Sequence, residues 1–578
     1  MENSLYSYHV FLFPFKWQHQ ELDPEADLDA KFNLSDFRKK IGAPWIRKEY
    51  KLDSFERFNE FDYFYGHVRE ILYDLDIDLS DESTQGNKEL INHFEYQLPE
   101  EECELHYCIQ LSDETRFFLR IDSILLNIYS TGTAILSFHL RNFTYRDPGD
   151  ILKINQFGRR LYPPFYDLES GSAIFGTKDR TKSESALNKT KAYELPDKIW
   201  LGAKGTSPNP NSLLVEDFSG YLTIETIKNG PFRIPAFVKG LFEKDFLKEY
   251  SSVNKSRGNT IKGKGILIHP ILDSRMFVVS WFADDTLINA LIAANKGEKS
   301  VKKLEEWWYK YVFVDGGSMT CQDQEMREQL LKTATYNRWI DWGTVFGISR
   351  YSLVMLTSTG VDSFLIRHLQ TMYYKMAELC QVQRATILNY ADEVTHVSHL
   401  LLEKKQRQRT LEKIATLYKK YLVFINKIYF KEVTAQEQGI EMYDLLQQQM
   451  RIPEDVFSLD KQIEELHNYS SFEKNEHNND LLTKITIIGA IFLPLGFVAS
   501  LMDWQVLEDD FLSGPGILAP FWMRIGVVIF ISVAMVLLMD AVTSFKFNIK
   551  NHRYRMLLRV LFYAVFFGLG IYLILSFK

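Results

Sequence analysis

The sequence predicts an α+β domain built on an antiparallel sheet, then a long helical stalk, then C-terminal transmembrane helices. Three observations predict this. Short β-rich runs cluster between Leu105 and Leu140. Apolar residues step by three and four after Val361. Three apolar segments of membrane length close the chain. The 578 residues exceed what one simple domain of roughly 100–200 residues uses. The expected boundaries are a body over 1–360, a stalk over 361–480 and a membrane domain over 481–578.

The body begins with YHVFLFPFKWQ, which alternates with period two and reads as a buried strand. It is short and lacks a basic leader and a small-residue cleavage site, so it does not read as a signal peptide. SDFRKKI and FDYFYGHVREILYDL read as amphipathic helices. LHYCIQL, RFFLRI, ILLNIYS and TAILSFHL, split by SDET, DS and STG, read as an antiparallel meander. DPGD, Asp147 to Asp150, starts a helix with Pro148 in its first turn, and Gly158 stops it. Ser170–Lys191 and Ala203–Ser212 read as loops, GYLTIETI and RMFVVSWF as strands, and the basic KSRGNTIKGKG as a solvated hairpin tip.

In the stalk, Leu365, Leu369, Met372, Met376 and Leu379 form a heptad seam, in a helical pattern persisting to about Phe430. A break near Arg451–Pro453 follows. Val456, Leu459, Ile463 and Leu466 then restart the stepping in a helix that runs into the membrane segment.

The three spans, about 481–502, 521–543 and 556–577, each cover ~30 Å of hydrocarbon. The first loop holds Asp503, Glu508, Asp509 and Asp510 and no Lys or Arg. The second holds Lys546, Lys550, His552, Arg553 and Arg555. The positive-inside rule puts the second loop and the large N-terminal body in the cytoplasm and the C-terminus outside.

Several function classes are disfavoured. A net charge of −8 argues against a dedicated nucleic-acid binder. Four cysteines, Cys103, Cys108, Cys321 and Cys380, are too few for a disulfide scaffold. No GxSxG, HExxH, GxxxxGK[ST] or post-strand GxGxxG is present, so catalysis is not indicated. Cys103, His106 and Cys108 look like metal ligands, but strand alternation would scatter them. No prosthetic group is expected.

Leu482, Ile485, Gly489, Leu493, Gly496, Ser500 and Asp503 recur every three or four residues and share one face of the first span. A helix that lines a pore tolerates Pro494 in its middle and an acid at its end. Bulky Leu482, Ile485 and Leu493 suit a dewetting gate, and Asp503 suits cation enrichment at the mouth.

A cytoplasmic α/β domain, a stalk helix running into a first span, and Phe492-Leu493-Pro494-Leu495-Gly496-Phe497 resemble the CorA magnesium-transporter family. There the first span carries a FLPLTF-like run and ends in Gly-Met-Asn; here the tripeptide falls on Asp503-Trp504-Gln505. The replaced signature, the third span, HVFLFPFKW and NQFGRRLYPPF are similar to the CorA-like proteins encoded beside type III CRISPR systems. That resemblance implies a channel or permeabilising effector in the bacterial plasma membrane, acting in antiviral defence. Its activating ligand would be a nucleotide second messenger, adenylated S-adenosylmethionine, and its partners membrane lipid and further copies of itself in a homopentamer. The alternative is a divalent-cation transporter, constitutive or gated by Mg2+. A membrane-anchored enzyme would need a nucleophile or metal cluster that is not seen.

A nucleotide needs cationic and polar partners. Arg159 and Arg160 stand together between Gly158 and Pro163-Pro164, and each guanidinium offers a fork of donors to phosphate. Asp217 suits ribose hydroxyls or a ligand cation, with Phe218 and Tyr221 nearby for stacking.

Overall fold

A computed structural model describes residues 5–19, 32–73, 90–98, 104–111, 115–162, 166–168, 190–192, 195–205, 214–218, 234–242, 247–249, 266–272, 274–297, 302–317, 319–360, 363–402 and 407–501, with isolated positions 526 and 533. It divides into two compact units, Met1–His467 and Asn468–Lys578.

Among the described residues, the first unit is organised by a sheet of fourteen strands. They are β1 Ser7–His19, β2 Trp45–Arg47, β3 Ile91–Tyr96, β4 His106–Gln110, β5 Arg116–Tyr129, β6 Thr133–Asn142, β9 Lys198–Gly202, β10 Val215–Asp217, β11 Leu247–Glu249, β12 Ile266–Pro270, β13 Phe277–Ala283, β14 Thr335–Tyr336, β15 Thr344–Ser349 and β16 Ser352–Thr357. β7 Tyr166–Leu168 and β8 Thr190–Ala192 pair separately. The helices are α1 Leu34–Lys40, α2 Phe55–Asp62, α3 Gly66–Leu72, α4 Pro148–Gly158, α5 Ala236–Lys239, α6 Asp285–Asn295, α7 Lys302–Phe313, α8 Gln324–Ala334, α9 Ser363–His368, α10 Tyr374–Leu402, α11 Arg407–Lys427, α12 Glu437–Met450 and α13 Ile452–Leu501.

β1 lies at the centre of the sheet and is buried on both faces, as its apolar alternation requires. It pairs with β6 along one side. On the other its partner changes from β13, ending at Leu12, to β12, starting at Phe15. Pro14, which has no N–H to donate, falls in that gap.

The meander is β4, β5 and β6, joined antiparallel. RFFLRI and ILLNIYS do not form two strands. They are one, β5, whose register shifts between Ile121 and Ser123. The DS pair, expected to turn, is a β-bulge that leaves Asp122 unpaired. The sheet is also not wholly antiparallel, because β11 pairs parallel with β12 and β13 with β16.

Asp147 caps α4, its carboxylate accepting from Gly149 and Asp150 N–H groups, with Pro148 in the first turn. The helix ends at Gly158, where a Cβ would stand 2.7 Å from the Phe11 ring and 2.9 Å from Ile109 Cδ1. Only glycine lets this end press onto β1 and β4.

The heptad seam has a different partner from the one expected. Leu369, Met372, Met376 and Leu379 are buried in the main core, and α9 to α12 belong to the first unit. The stalk expected from residue 361 therefore does not separate from the body there. Helix is described to Leu402 in α10 and again from Arg407 to Lys427 in α11, close to the expected end near Phe430. The break near Arg451 is a left-handed residue, φ 58°, between α12 and α13. Val456, Leu459 and Ile463 of α13 are buried, as their stepping predicts.

α13 runs through Pro494 to Leu501. Among the described residues no helix is long and apolar enough to cross a membrane. Nearly all of the two expected spans at 521–543 and 556–577 lies outside the described residues. So do most side chains of the first span after Gly489.

Candidate functional site

Arg159 and Arg160 do not occupy an open loop. Both are 2% exposed. Arg160 forms a short antiparallel bridge with Arg275, and the chain on either side is held by Met276 N–H to Arg159 O at 2.8 Å and Leu161 N–H to Ser274 O at 3.0 Å. Arg159 Nη2 donates to Val314 O at 2.8 Å. Val314 has φ 50°, a costly conformation for a β-branched residue. A Cβ on Gly316, two residues on, would lie 2.9 Å from Gln156 Cβ. The end of α4 and the turn after α7 thus hold each other. The guanidinium carbons of Arg159 and Arg275 lie 5.7 Å and 4.8 Å from the centroid of the Tyr351 ring. Arg159 and Arg275 thus share one tyrosine, and Arg160 is joined to Arg275 through the backbone bridge. Arg275 and Tyr351 were missed in the sequence because SRM and SRY carry no motif.

Asp217 lies on the edge strand β10 and is exposed. Its Cα partner across the ladder is Lys198, whose Nζ lies 3.1 Å from Asp217 Oδ2. Phe218 is buried and donates its N–H to Asp197 O. Tyr221 lies outside the described residues.

Buried polar chains cross the sheet on both faces. On the α4 face, His9 Nδ1 lies 2.7 Å from Asn155 Oδ1 and 3.2 Å from Ser280 Oγ, while Nε2 lies 2.8 Å from Ser7 Oγ. Ser280 continues to Tyr311 of α7. No ion compensates the ring, and burial pushes His9 down to about 4, so it is neutral. It therefore donates from Nδ1 and accepts at Nε2.

On the opposite face, the bulged Asp122 accepts from Tyr8 Oη at 3.2 Å and pairs with Arg141 at 2.8 Å. Tyr8 Oη then accepts from His139 Nδ1 at 3.0 Å. The His139 ring meets Tyr374 of α10 edge-on, and Tyr374 Oη lies 2.9 Å from Ser137 Oγ. Farther along α10, Glu378 accepts from Asn127 Nδ2, and burial raises its pKa. Asn389 donates to Thr131 O, and Glu393 pairs with Lys16. Tyr374, Glu378, Asn389 and Glu393 share a helical face, so the stripe of α10 toward the sheet is polar.

Of the expected pore stripe, Leu482 and Ile485 are 60% and 64% exposed in the single chain, and a Cβ on Gly489 meets nothing within 4 Å. Leu493, Gly496 and Ser500 lie on the α13 backbone, with side chains outside the described residues. Asp503, Trp504 and Gln505 lie outside them altogether.

Cys103 is likewise outside the described residues. Cys108 is buried in β4, donates weakly to His106 O, and has its thiol pKa raised by burial. Among the described residues, no group of three or more His, Cys, Asp or Glu is placed to hold a metal ion.

Residues 356–540 match the family model for the CorA-like Mg2+ transporter protein. The C-terminal part of the chain is thus CorA-like, and α9 to α13 lie inside that match. A search of curated proteins found no match. Among solved structures, the CorA magnesium transporter from Methanocaldococcus jannaschii aligns at 13% identity over 48% of this chain and 93% of that one, with a TM-score of 0.19.

Proposed function

We propose that this protein is a membrane channel or permeabilising effector of the CRISPR-associated CorA type, gated by a nucleotide second messenger. The ligand proposed is adenylated S-adenosylmethionine. One observation carries the reading: a folded sheet domain precedes the CorA-like region, which begins only at residue 356. A domain of that size gives a transporter-like region something to be controlled by. On this reading the body is cytoplasmic, residues 481–578 form the bacterial plasma-membrane domain with the C-terminus outside, and the assembly is a homopentamer. Leu482, Ile485 and Leu493 line the gate, with Gly489, Gly496 and Ser500 on the same face. Asp503, Trp504 and Gln505 stand at the outer mouth. Arg159, Arg160 and Asp217 receive the nucleotide.

Ion flux from liposomes holding the purified protein tests it. Flux that begins only on adding the nucleotide supports the proposal. A second reading, a Mg2+ transporter, is favoured by the description of the matched family. It gives constitutive flux that magnesium stops, and that result would discard gating by a nucleotide. The site has its own test, because Arg159 also bonds Val314 O. Arg159→Ala/Arg160→Ala should lose nucleotide affinity per folded molecule, with its thermal melt measured alongside. Wild-type affinity in a destabilised double variant makes the arginines structural.

A further inference from the structure

Adjacent residues of a strand point to opposite faces of its sheet. In β1 those residues are Tyr8 and His9, and each is the hydrogen-bonding anchor of a different layer. His9 is bound by Asn155 of α4 at 2.7 Å and Ser7 at 2.8 Å, with Ser280 at 3.2 Å linking on to Tyr311. Tyr8 is bound by Asp122 at 3.2 Å and His139 at 3.0 Å, and the His139 ring sits against Tyr374 at the start of α10. α4 lies in the N-terminal body, with Arg159 as its C-cap. α10 lies inside the CorA-like match. The two helices lie on opposite faces of the sheet, and β1 lies between them.

We propose that β1 is the coupling strand of this protein: His9 ties α4, and Tyr8 through His139 ties α10, so a change in the seating of one helix alters the stability of the other. The geometry favours transmission over absorption. Both side chains are buried, at 0% and 1% exposure, and a close-packed interior has few alternative arrangements. The bulge at Asp122 is what aims a carboxylate at Tyr8 Oη, fixing that hydroxyl as acceptor toward His139. Tyr8, His9, Asp122, Asn155 and His139 are thereby positioning residues in one chain of contacts.

The test uses hydrogen exchange on the full chain in detergent, with no nucleotide, so it is separable from the gating proposal. Asn155→Ser weakens the hold on α4 only. The expected result is exchange about fivefold faster for α10 amides from Tyr374 to Asn389, the factor for one net hydrogen bond. In a Tyr8→Phe background the same substitution should no longer affect α10. Should Asn155→Ser fail to fold, Ser137→Ala beneath Tyr374 runs the test in reverse, because coupling free energy is reciprocal: α4 amides should speed up. Unchanged α10 exchange in Asn155→Ser, or strictly additive effects with Tyr8→Phe, overturns the proposal.

Discussion

Lowering the pH from 7 to about 5 should destabilise the N-terminal body through His9. Its folded pKa, about 4, is depressed below the ordinary 6.5 because the ring is fully buried among Ser7, Asn155 and Ser280 with no compensating charge. The sign follows. The unfolded state takes up a proton near 6.5 while the folded state refuses it, so stability is present above 6.5 and falls as pH falls toward 4. Each pH unit in that window costs about 1.4 kcal/mol, and the loss at pH 5 relative to pH 7 is about 2 kcal/mol. Most carboxylates titrate below that window, but His139, buried and lowered to about 3, loses stability across the same range, so comparison with a His9 variant is what isolates His9. The assay is urea unfolding of the detergent-solubilised chain, followed by tryptophan fluorescence, for wild type and His9→Gln. The wild type should lose about 2 kcal/mol more than the variant between the two pH values. Curves that fall in parallel would refute the assignment of His9 as a neutral, buried, hydrogen-bonded ring.

Glu378→Ala removes a buried carboxyl that accepts from Asn127 Nδ2. Leaving that amide without its acceptor should cost about 1–3 kcal/mol in the same unfolding assay, whereas no measurable loss would mean that water replaces the carboxyl. Gly439→Ala places a Cβ against Tyr63 Oη and 2.5 Å from Thr434 Cγ2. It should lower stability by about 1–3 kcal/mol, read as a drop in Tm. Leu493→Ser should make liposomes leak without ligand, since a polar constriction stays wet; a tight, correctly assembled variant moves the gate to Leu482 or Ile485. Asp503→Asn should reduce cation over anion permeability, and unchanged reversal potentials under a salt gradient would remove Asp503 from the mouth.

Local chemistry made several elements legible in the sequence. Period-two alternation at Tyr8–Trp17 gives β1, and the Asp147-Pro148 start with a Gly158 stop gives α4. Spacing alone identified Val456, Leu459 and Ile463 as one buried face. What stayed hidden depends on partners. Asp122-Ser123 has the composition of a turn, and only pairing with β4, β6 and β3 shows it to be a bulge in one long strand. The Arg159–Arg160 doublet reads as an anion cradle. Its burial, the bond to Val314 O and the neighbouring Arg275 arise from segments more than a hundred residues away.

α10 gives the reason such signals mislead. Its apolar seam, Met376 and Leu379, satisfies the heptad rule for a coiled coil, which says nothing of where its polar residues go. In the fold the apolar seam enters the core and the polar stripe meets the sheet through Ser137, Asn127, Thr131 and Lys16. Helical periodicity reports how many faces a helix has, not what covers them. A helix held on its sheet by directional bonds has one register, because sliding by a turn would strand Glu378 and Asn389 without partners in a dry interior. An apolar seam would tolerate such a slide far better. The CorA-like match therefore includes, in α10, a helix whose register is fixed on the N-terminal sheet at Tyr374 and Glu378.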